Sequence, residues 1–193
     1  MGLERQYPRK PQDADPSHLA RYKFAASKLL PTDRVLDAAC GSGYGSELMK
    51  WSCKRVYGVD IEPEAIRHAI QFFNANFFQM DVMDVDKIRK DYDVAVSFET
   101  IEHLENDVDF LKKLRLVSRK LICSVPNENH YKFDPEVFKE DKYPHLRHYT
   151  PDQFRELLTS TGWEIQGEYS QQDKHNPEIR KGVEGRFMVF TAI

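Results

Sequence analysis

The residues best suited to chemistry in this chain are glycines and carboxylates in its first third. Gly41 and Gly43 lie in a turn after a short apolar stretch, and glycine lets the backbone approach a ligand because it has no Cβ. Asp37 precedes this turn, and Asp60 ends the next apolar stretch. A carboxylate at the end of a second strand can accept hydrogen bonds from the ribose hydroxyls of an adenosine-containing ligand. The spacing therefore predicts a nucleotide-type βαβ unit with Asp60 on the ribose.

The turn lacks one part of the dinucleotide-binding fingerprint. The third glycine of that fingerprint would stand at position 46, where this chain has Ser46. Asp37 would repel a pyrophosphate, whereas its charge suits a ligand with a positive amino group. S-Adenosylmethionine carries an α-ammonium group and a sulfonium. These residues therefore favour S-adenosylmethionine over a nicotinamide dinucleotide.

Residues 35–46 resemble motif I of the class I S-adenosylmethionine-dependent methyltransferases, Val-Leu-Asp-x-Gly-Cys-Gly-x-Gly. Ala39 stands where that family usually has its first glycine, so we expect Ala39 and Cys40 to pack beside the ligand. The His-Leu-x-Arg-Tyr-x-Phe-Ala pattern at residues 18–25 is similar to one group of methyltransferases linked to glycan and natural-product pathways, and the Tyr-Thr-Pro that follows His148 is similar to glycan-type and phage-borne methyltransferases.

The resemblance implies which residues contact the cofactor. In these methyltransferases an acid after the third strand reaches the adenine amino group, and Asp81 matches that position. The alternative is that Asp81 only caps a helical turn at residues 84–89. Tyr22 is expected beside the cofactor, and the alternative is that Tyr22 is core while Arg21 is solvated. The expected set is Tyr22, Asp37, Ala39, Cys40, Gly41, Gly43, Asp60, Ile61, Asp81, Val82, Phe98 and Glu99.

Catalytic candidates follow the fourth predicted strand. His103 is a candidate general base, because the unperturbed pKa of histidine lies near neutral pH, and Glu102 stands next to it. The Glu99-x-x-Glu102-His103 spacing resembles the acidic-histidine cluster of the ubiquinone-pathway O-methyltransferases, where a divalent ion is implicated. One imidazole and two carboxylates suit Mn²⁺ or Zn²⁺ better than Mg²⁺. In the alternative, Glu102 and His103 only begin the next helix and His103 is structural.

Two further histidines, His145 and His148, stand before Thr150. A loop after the fifth strand would place them over a methyl acceptor, and Arg147 between them could bind a phosphate or carboxylate on it. The alternative is a loop histidine that bonds a backbone carbonyl. We predict a catalytic role for His148, which precedes Tyr-Thr-Pro as in related methyltransferases, and none for His145.

Apolar periodicity places these residues on alternating strands and helices. Strands are predicted at residues 35–38, 55–60, 76–80, 92–98 and 120–125, and as an antiparallel pair at 163–169 and 185–192. Helices are predicted near residues 17–30, 46–52, 61–73, 106–117 and 150–162; the last begins with Thr150 and Gln153 as a capping box. In the fourth helix we expect Val108, Leu111, Leu114 and Leu116 to face inward.

The alternation predicts one doubly wound α/β domain over residues 1–193. The resemblance implies the Rossmann-like methyltransferase fold, a mostly parallel seven-stranded sheet with one antiparallel strand. Residues 1–15 are expected to form an N-terminal arm on the surface or over the cofactor. Residues 127–149 show no periodicity, and we interpret this long aromatic-rich segment as a lid over the acceptor. Its aromatic residues could instead be permanently packed.

Composition limits the remaining classes. The chain has 193 residues, 40% of them hydrophobic, a net charge of −3 and three cysteines without zinc-ligand spacing. With no membrane-length apolar run and no signal-peptide pattern, we expect a cytoplasmic protein that binds neither membrane nor, given the missing basic run, nucleic acid.

These observations predict an S-adenosylmethionine-dependent methyltransferase that methylates an oxygen of a small or sugar-like acceptor. The alternatives are a methyltransferase acting on protein or nucleic acid, a nicotinamide-dependent oxidoreductase, and a non-catalytic cofactor-binding module.

Overall fold

A computed structural model describes residues 6–88 and 91–193. Eight strands form one sheet in the order β3-β2-β1-β4-β5-β8-β6-β7. The first five strands are parallel, β8 is antiparallel to β5, and β6 is antiparallel to β8. The strands are β1 Arg34–Ala38, β2 Arg55–Asp60, β3 Asn76–Gln79, β4 Tyr92–Phe98, β5 Ser118–Pro126, β6 Ile165–Gln171, β7 Arg180–Lys181 and β8 Phe187–Ala192.

Helices begin where the sequence supplies caps. Asp15 accepts a hydrogen bond from the backbone of Ser17, and Thr150 and Gln153 form the predicted capping box. Gly43, with a φ of 88°, is the N-cap of the second helix, which therefore begins at Tyr44 and not at residue 46. The helices are α1 Pro16–Lys28, α2 Tyr44–Met49, α3 Pro63–Phe72, α4 Asp107–Val117, α5 Pro135–Phe138 and α6 Pro151–Ser160, with short 3₁₀ turns at Lys50–Ser52, Val82–Lys87 and Ile101–His103.

The sheet is covered on both faces, which confirms the doubly wound α/β prediction. One hydrophobic cluster contains Phe110 of α4 and Phe154 of α6. The other contains Tyr22 of α1 and Ile66 of α3. Strand β4 is buried along most of its length, as its nearly continuous apolar run predicts. All parallel strands thus end at one edge of the sheet, where ligands of such folds bind.

The sheet has eight strands and not the predicted seven. The additional strand, β7, lies in the connection that we expected to be irregular, and it pairs with Tyr169 and Ser170 of β6. Two residues are too few to show an alternating hydrophobic pattern. Their pairing is instead a tertiary effect, because β6 offers an open edge of backbone donors and acceptors.

The inward face of α4 differs from the prediction at two positions. Leu111 and Leu114 are buried as expected, whereas Val108 is 38% and Leu116 65% exposed. Phe110 and Val117 occupy the buried face instead. Residues 110, 114 and 117 follow helical spacing, so the face centred on Leu114 turns Val108 and Leu116 toward solvent.

A bilayer-spanning helix, which requires about 20 apolar residues, is absent from the part of the chain that the structure describes.

Candidate functional site

The glycine turn after β1 has the backbone expected of a ligand cradle. Gly41 and Gly43 have φ values of 56° and 88°, and Ala39 also has a positive φ, of 66°. A Cβ built on Gly41 would meet no atom within 4 Å, so open space lies beside this residue. A Cβ on Gly43 would lie 2.6 Å from Ala69. Gly41 therefore leaves room for a ligand, whereas Gly43 is required by packing.

Asp37 is fully buried at the end of β1. It accepts a hydrogen bond from the Ser46 hydroxyl at 2.5 Å, and the Tyr22 hydroxyl lies 3.4 Å away. Burial raises the pKa of Asp37 to about 7 against the effect of these two hydrogen bonds, and the nearby charge of Asp60 raises it further. A positive group placed beside this carboxyl would offset that burial cost. Ser46, in place of the third glycine of a dinucleotide site, is thus a partner of Asp37.

Asp60 lies against the glycine turn, as its position at the end of β2 predicts. Its two carboxylate oxygens accept hydrogen bonds from the backbone of Gly41 at 2.9 Å and of Glu62 at 2.8 Å. Residues of the N-terminal arm also reach the turn, since the Ser42 hydroxyl donates to the carbonyl of Gln6 at 2.6 Å.

The other expected cofactor residues line the neighbouring strand ends. Asp81 is exposed and caps the turn at Val82–Lys87 by accepting from the backbone of Met83, so the capping role considered above is present. The expected turn began two residues later and ended at Arg89, which lies outside the described residues. Val82, Cys40 and Phe98 are buried, and Ile61 is exposed.

Tyr22 lies at the centre of an aromatic group above the turn. Its ring contacts those of Tyr44 and Phe98, with centroids 5.8 and 5.1 Å away. A Cβ on Gly45 would approach the Tyr22 ring to 2.1 Å, so α1 packs directly on α2. The alternative interpretation of α1, with Tyr22 in the core and Arg21 in solvent, is confirmed for Tyr22 and wrong for Arg21, which is buried.

Glu102 and His103 follow β4 in a 3₁₀ turn and meet His145 from the segment before α6. Ligand atoms of these three side chains lie within 4.8 Å of one another. Glu102 is fully buried, and neither carboxylate oxygen has a hydrogen-bond partner. Burial, and then the charge of Glu99, raises the pKa of Glu102 well above its usual range. A buried carboxyl without partners is costly unless a ligand completes it.

Glu99 does not belong to this cluster, contrary to the predicted metal set. Its φ is 48°, and its carboxylate accepts from the Ser124 hydroxyl at 2.6 Å, so the side chain turns toward β5. The spacing could not show this, because Glu99 has a left-handed backbone conformation and a 3₁₀ turn begins two residues later. The structure replaces Glu99 with His145.

Hydrogen bonds to backbone carbonyls fix the histidine tautomers. Nδ1 of His103 faces the carbonyl of Pro144 at 3.1 Å, and Nδ1 of His148 faces that of Tyr131 at 2.7 Å. Both nitrogens must therefore carry the proton, since a carbonyl only accepts. Nδ1 of His145 lies 2.8 Å from Nε2 of His148, which leaves Nε2 of His145 as a lone-pair nitrogen. Burial, followed by the charges of His103 and His148, lowers the pKa of His145 to about 3, so it is neutral at pH 7.

His145 is thus a site residue to which the sequence assigned no role. It lies in an irregular segment, where spacing does not report which side chains meet. His148, expected over the acceptor, supports His145 and lies behind it. Arg147 is not available for an acceptor anion, because it pairs with Asp107 of α4 at 2.9 Å.

The glycine turn, Asp37 and Asp60 form a site that fits an adenosine-containing, positively charged cofactor. A family profile described as a methyltransferase domain matches residues 5–167. The chain belongs to this methyltransferase family. The cofactor that the family implies is S-adenosylmethionine, and the fit of the turn agrees with it.

The methyltransferase relatives include a probable S-adenosylmethionine-dependent methyltransferase of Mycobacterium tuberculosis, 28% identical over 76% of this chain and 54% of its own length. A malonyl-[acyl-carrier protein] O-methyltransferase of Acetivibrio thermocellus is 29% identical over 35% of this chain and 25% of its own length. The chain spans about half the length, 54%, of the mycobacterial relative. Among solved structures, a methyltransferase of Thermotoga maritima, described as a possible histamine N-methyltransferase, has a TM-score of 0.72 at 17% identity, covering 91% of this chain and 88% of that one.

The raised pKa of Asp37 leads to a stability prediction for Asp37→Asn. Between about pH 4 and pH 7 the folded wild type retains a proton that the unfolded chain has released, so its unfolding free energy falls as the pH rises. The asparagine variant has no proton to release here, so its unfolding free energy does not fall for this reason. In urea unfolding, the stability of the variant relative to the wild type should be higher at pH 8 than at pH 5 by on the order of 1–4 kcal/mol, at about 1.4 kcal/mol per pKa unit. A stability difference that is the same at both pH values would contradict the burial of an ionisable group here.

Proposed function

We propose that this methyltransferase transfers a methyl group from S-adenosylmethionine to an oxygen of a small or sugar-like acceptor. The meeting of Glu102, His103 and His145 beside the end of β4 carries the proposal, because it provides proton-accepting and oxygen-orienting groups next to the cofactor strands. The Acetivibrio relative is by name an O-methyltransferase, which supports oxygen as the acceptor atom.

The chemistry follows from this arrangement. When bound, S-adenosylmethionine would supply an activated methyl group to the acceptor hydroxyl and would be converted to S-adenosylhomocysteine. The hydroxyl proton passes to Nε2 of His103, whose Nδ1 is held by Pro144. Glu102 lies 4.0 Å from that nitrogen, and an imidazolium there would favour the ionised form of this buried carboxyl, which would in turn stabilise the imidazolium. The enzyme otherwise has to hold donor and nucleophile together.

The alternatives have less support from the residues. An amino-methyltransferase of DNA bases would carry an Asn/Asp-Pro-Pro-Tyr/Phe motif, where β4 has Ser97-Phe98-Glu99-Thr100. A nicotinamide dinucleotide is disfavoured as the cofactor, because Ser46 stands where its binding motif has glycine and the Ser46 hydroxyl donates to Asp37. A macromolecular acceptor remains the main alternative outcome of an acceptor screen with methyl-donor consumption as readout. The cytoplasm remains our proposed location, because none of the three cysteines forms a disulfide.

A divalent cation fits the same cluster as the alternative to a histidine base, because a cation held by Nε2 of His103 would leave that nitrogen without a lone pair for the proton. Glu102, His103 and His145 offer one carboxylate and two imidazole nitrogens, and the carbonyl of Pro144 and His148 orient the two rings from behind. This donor set favours Zn²⁺ or Mn²⁺. A bound cation would polarise the acceptor oxygen and lower the pKa of its hydroxyl.

Segment 127–149 is proposed to cover the acceptor. Its rings pack together, with Phe138 and His145 stacked at 4.0 Å and Phe138 buried. Lys142 pairs with Glu62 at the start of α3, which connects the segment to the cofactor side. The packing agrees with the permanently packed alternative, while the ion pair ties the segment to α3 through a lysine that is itself exposed.

Replacing the proposed base should separate binding from turnover. The His103→Ala variant should bind S-adenosylhomocysteine as the wild type does, measured by calorimetry, and lose about 10²–10⁴-fold in methyl-transfer rate. His130→Ala, an exposed histidine of segment 127–149, is the matched control and should retain full activity. Turnover of His103→Ala within a few-fold of the wild type would place the base elsewhere.

Metal binding can be tested without an acceptor. After dialysis against chelator, the wild type should bind one equivalent of Zn²⁺ in calorimetry, and His145→Ala should bind it at least about tenfold more weakly. Glu99→Gln should leave the affinity unchanged, since Glu99 faces Ser124. Equal affinity of the wild type and His145→Ala, or loss in Glu99→Gln alone, would reject this ligand set.

Hydrogen exchange decides whether residues 127–149 act as a lid. Amides of a lid should exchange fast in the free enzyme and slow down when S-adenosylhomocysteine and an acceptor are both bound, because closure removes local opening. Helix α6 provides the internal comparison and should change little. High protection without ligand, unchanged by ligand, would mean that the segment is a fixed part of the core.

A further inference from the structure

Arg21 of α1 is a buried cation with no ion-pair partner among residues 6–88 and 91–193. The residue is 1% exposed, and its guanidinium donates to Oε1 of Gln171 at 2.6 Å and lies over the Phe187 ring at 5.1 Å. Nε of Arg21 has no acceptor, and no carboxylate lies within ion-pair distance in the described part of the chain. Burying an unpaired charge is costly. The guanidinium therefore keeps a donor, Nε–H, that no described residue accepts from, so it can bind an anion.

The orientation of Arg21 is fixed by its neighbour. The side-chain amide of Gln171 donates to the carbonyls of Ser17 and Pro177 at 2.9 and 2.7 Å, so its oxygen must face the guanidinium. Because the guanidinium is held in one orientation, its planar set of N–H donors can bind a planar carboxylate.

His18, one helical turn before Arg21, presents a second incomplete group on the same face. Nδ1 of His18 lies 2.9 Å from the Tyr44 hydroxyl, and Nε2 is shielded from solvent without a hydrogen-bond partner. Burial, followed by the charge of Arg21, lowers the pKa of His18 to about 3, so the ring is neutral at pH 7. When Tyr44 donates to Nδ1, Nε2 carries the proton and is a second donor.

The charges of Arg21 and of the buried carboxyl of Asp37 act on the same two tyrosines, Tyr22 and Tyr44. The pKa of Tyr22 is raised mainly by burial; Asp37 raises it further, whereas Arg21 lowers it. Burial also raises the pKa of Tyr44, with opposite effects of Arg21 and Asp37. One negative and one positive charge therefore act on the small region between α1 and the glycine turn. The amino-acid end of the cofactor carries an ammonium and a carboxylate on one carbon, which is the complementary pair.

We propose that Arg21 and His18 bind the α-carboxylate of S-adenosylmethionine, while Asp37 binds its ammonium group. The α1 helix is then part of the cofactor site and not only its cover. The proposal concerns binding of the cofactor and does not depend on the identity of the acceptor. A screen that finds no acceptor would therefore not contradict it.

The test compares S-adenosylhomocysteine with its decarboxylated counterpart, which retains the ammonium group and lacks only the carboxylate. Calorimetry on the wild type should show the decarboxylated ligand binding about 10- to 100-fold more weakly, as expected for lost hydrogen bonds to a charged group. This comparison needs no variant, so a folding defect cannot obscure it. Equal affinity for the two ligands would overturn the proposal.

Variants then assign the effect to Arg21. Arg21→Met should lose about 10- to 100-fold in affinity for S-adenosylhomocysteine and change little toward the decarboxylated ligand, while Arg21→Lys should keep part of the preference. Arg155→Met, which removes an arginine of α6 whose partners are Asp152 of the same helix and Glu168 of β6, is the matched control. If Arg21→Met lowers the affinity for both ligands equally, or for neither, Arg21 does not bind the carboxylate.

Discussion

The carboxyl group of Asp37 holds together the elements from which the cofactor site is built. It stands at the end of β1, accepts from Ser46 in α2 and is approached by Tyr22 from α1. Since burial disfavours its charge, the group depends on these hydroxyls and on whatever positive group comes next to it. The glycine turn, the first crossover helix and the N-terminal helix are thereby tied to one point, and the residues carried by α1 take their places from it.

Much of the fold could be predicted because its signals are local. The buried run of β4 and the capping box of α6 depend on neighbouring residues, and both were confirmed. Strand β7, the burial of Arg21 and the meeting of His145 with Glu102 depend on residues far apart in the chain. No pattern of periodicity or spacing encodes such contacts. Glu99 shows the same limit at short range, because its positive φ redirects a side chain that spacing alone would place in the cluster.

The two halves of the site differ in how they are built. The proposed cofactor residues lie at strand ends and in a glycine turn, so most of them can be recognised from motif I. The proposed acceptor half depends on segment 127–149, in which aromatic rings and histidines pack together. Folds of this kind keep the first half and vary the second, and acceptor identity therefore belongs to the irregular part of the chain.

Strand β7 has a consequence for how copies of the molecule can associate. It forms one outer edge of the sheet, and both of its residues, Arg180 and Lys181, are exposed cations. A short, positively charged edge strand repels an identical strand and offers few backbone groups for pairing. Continuous sheets running from one molecule to the next are disfavoured at this edge, which protects the enzyme from aggregation by strand addition.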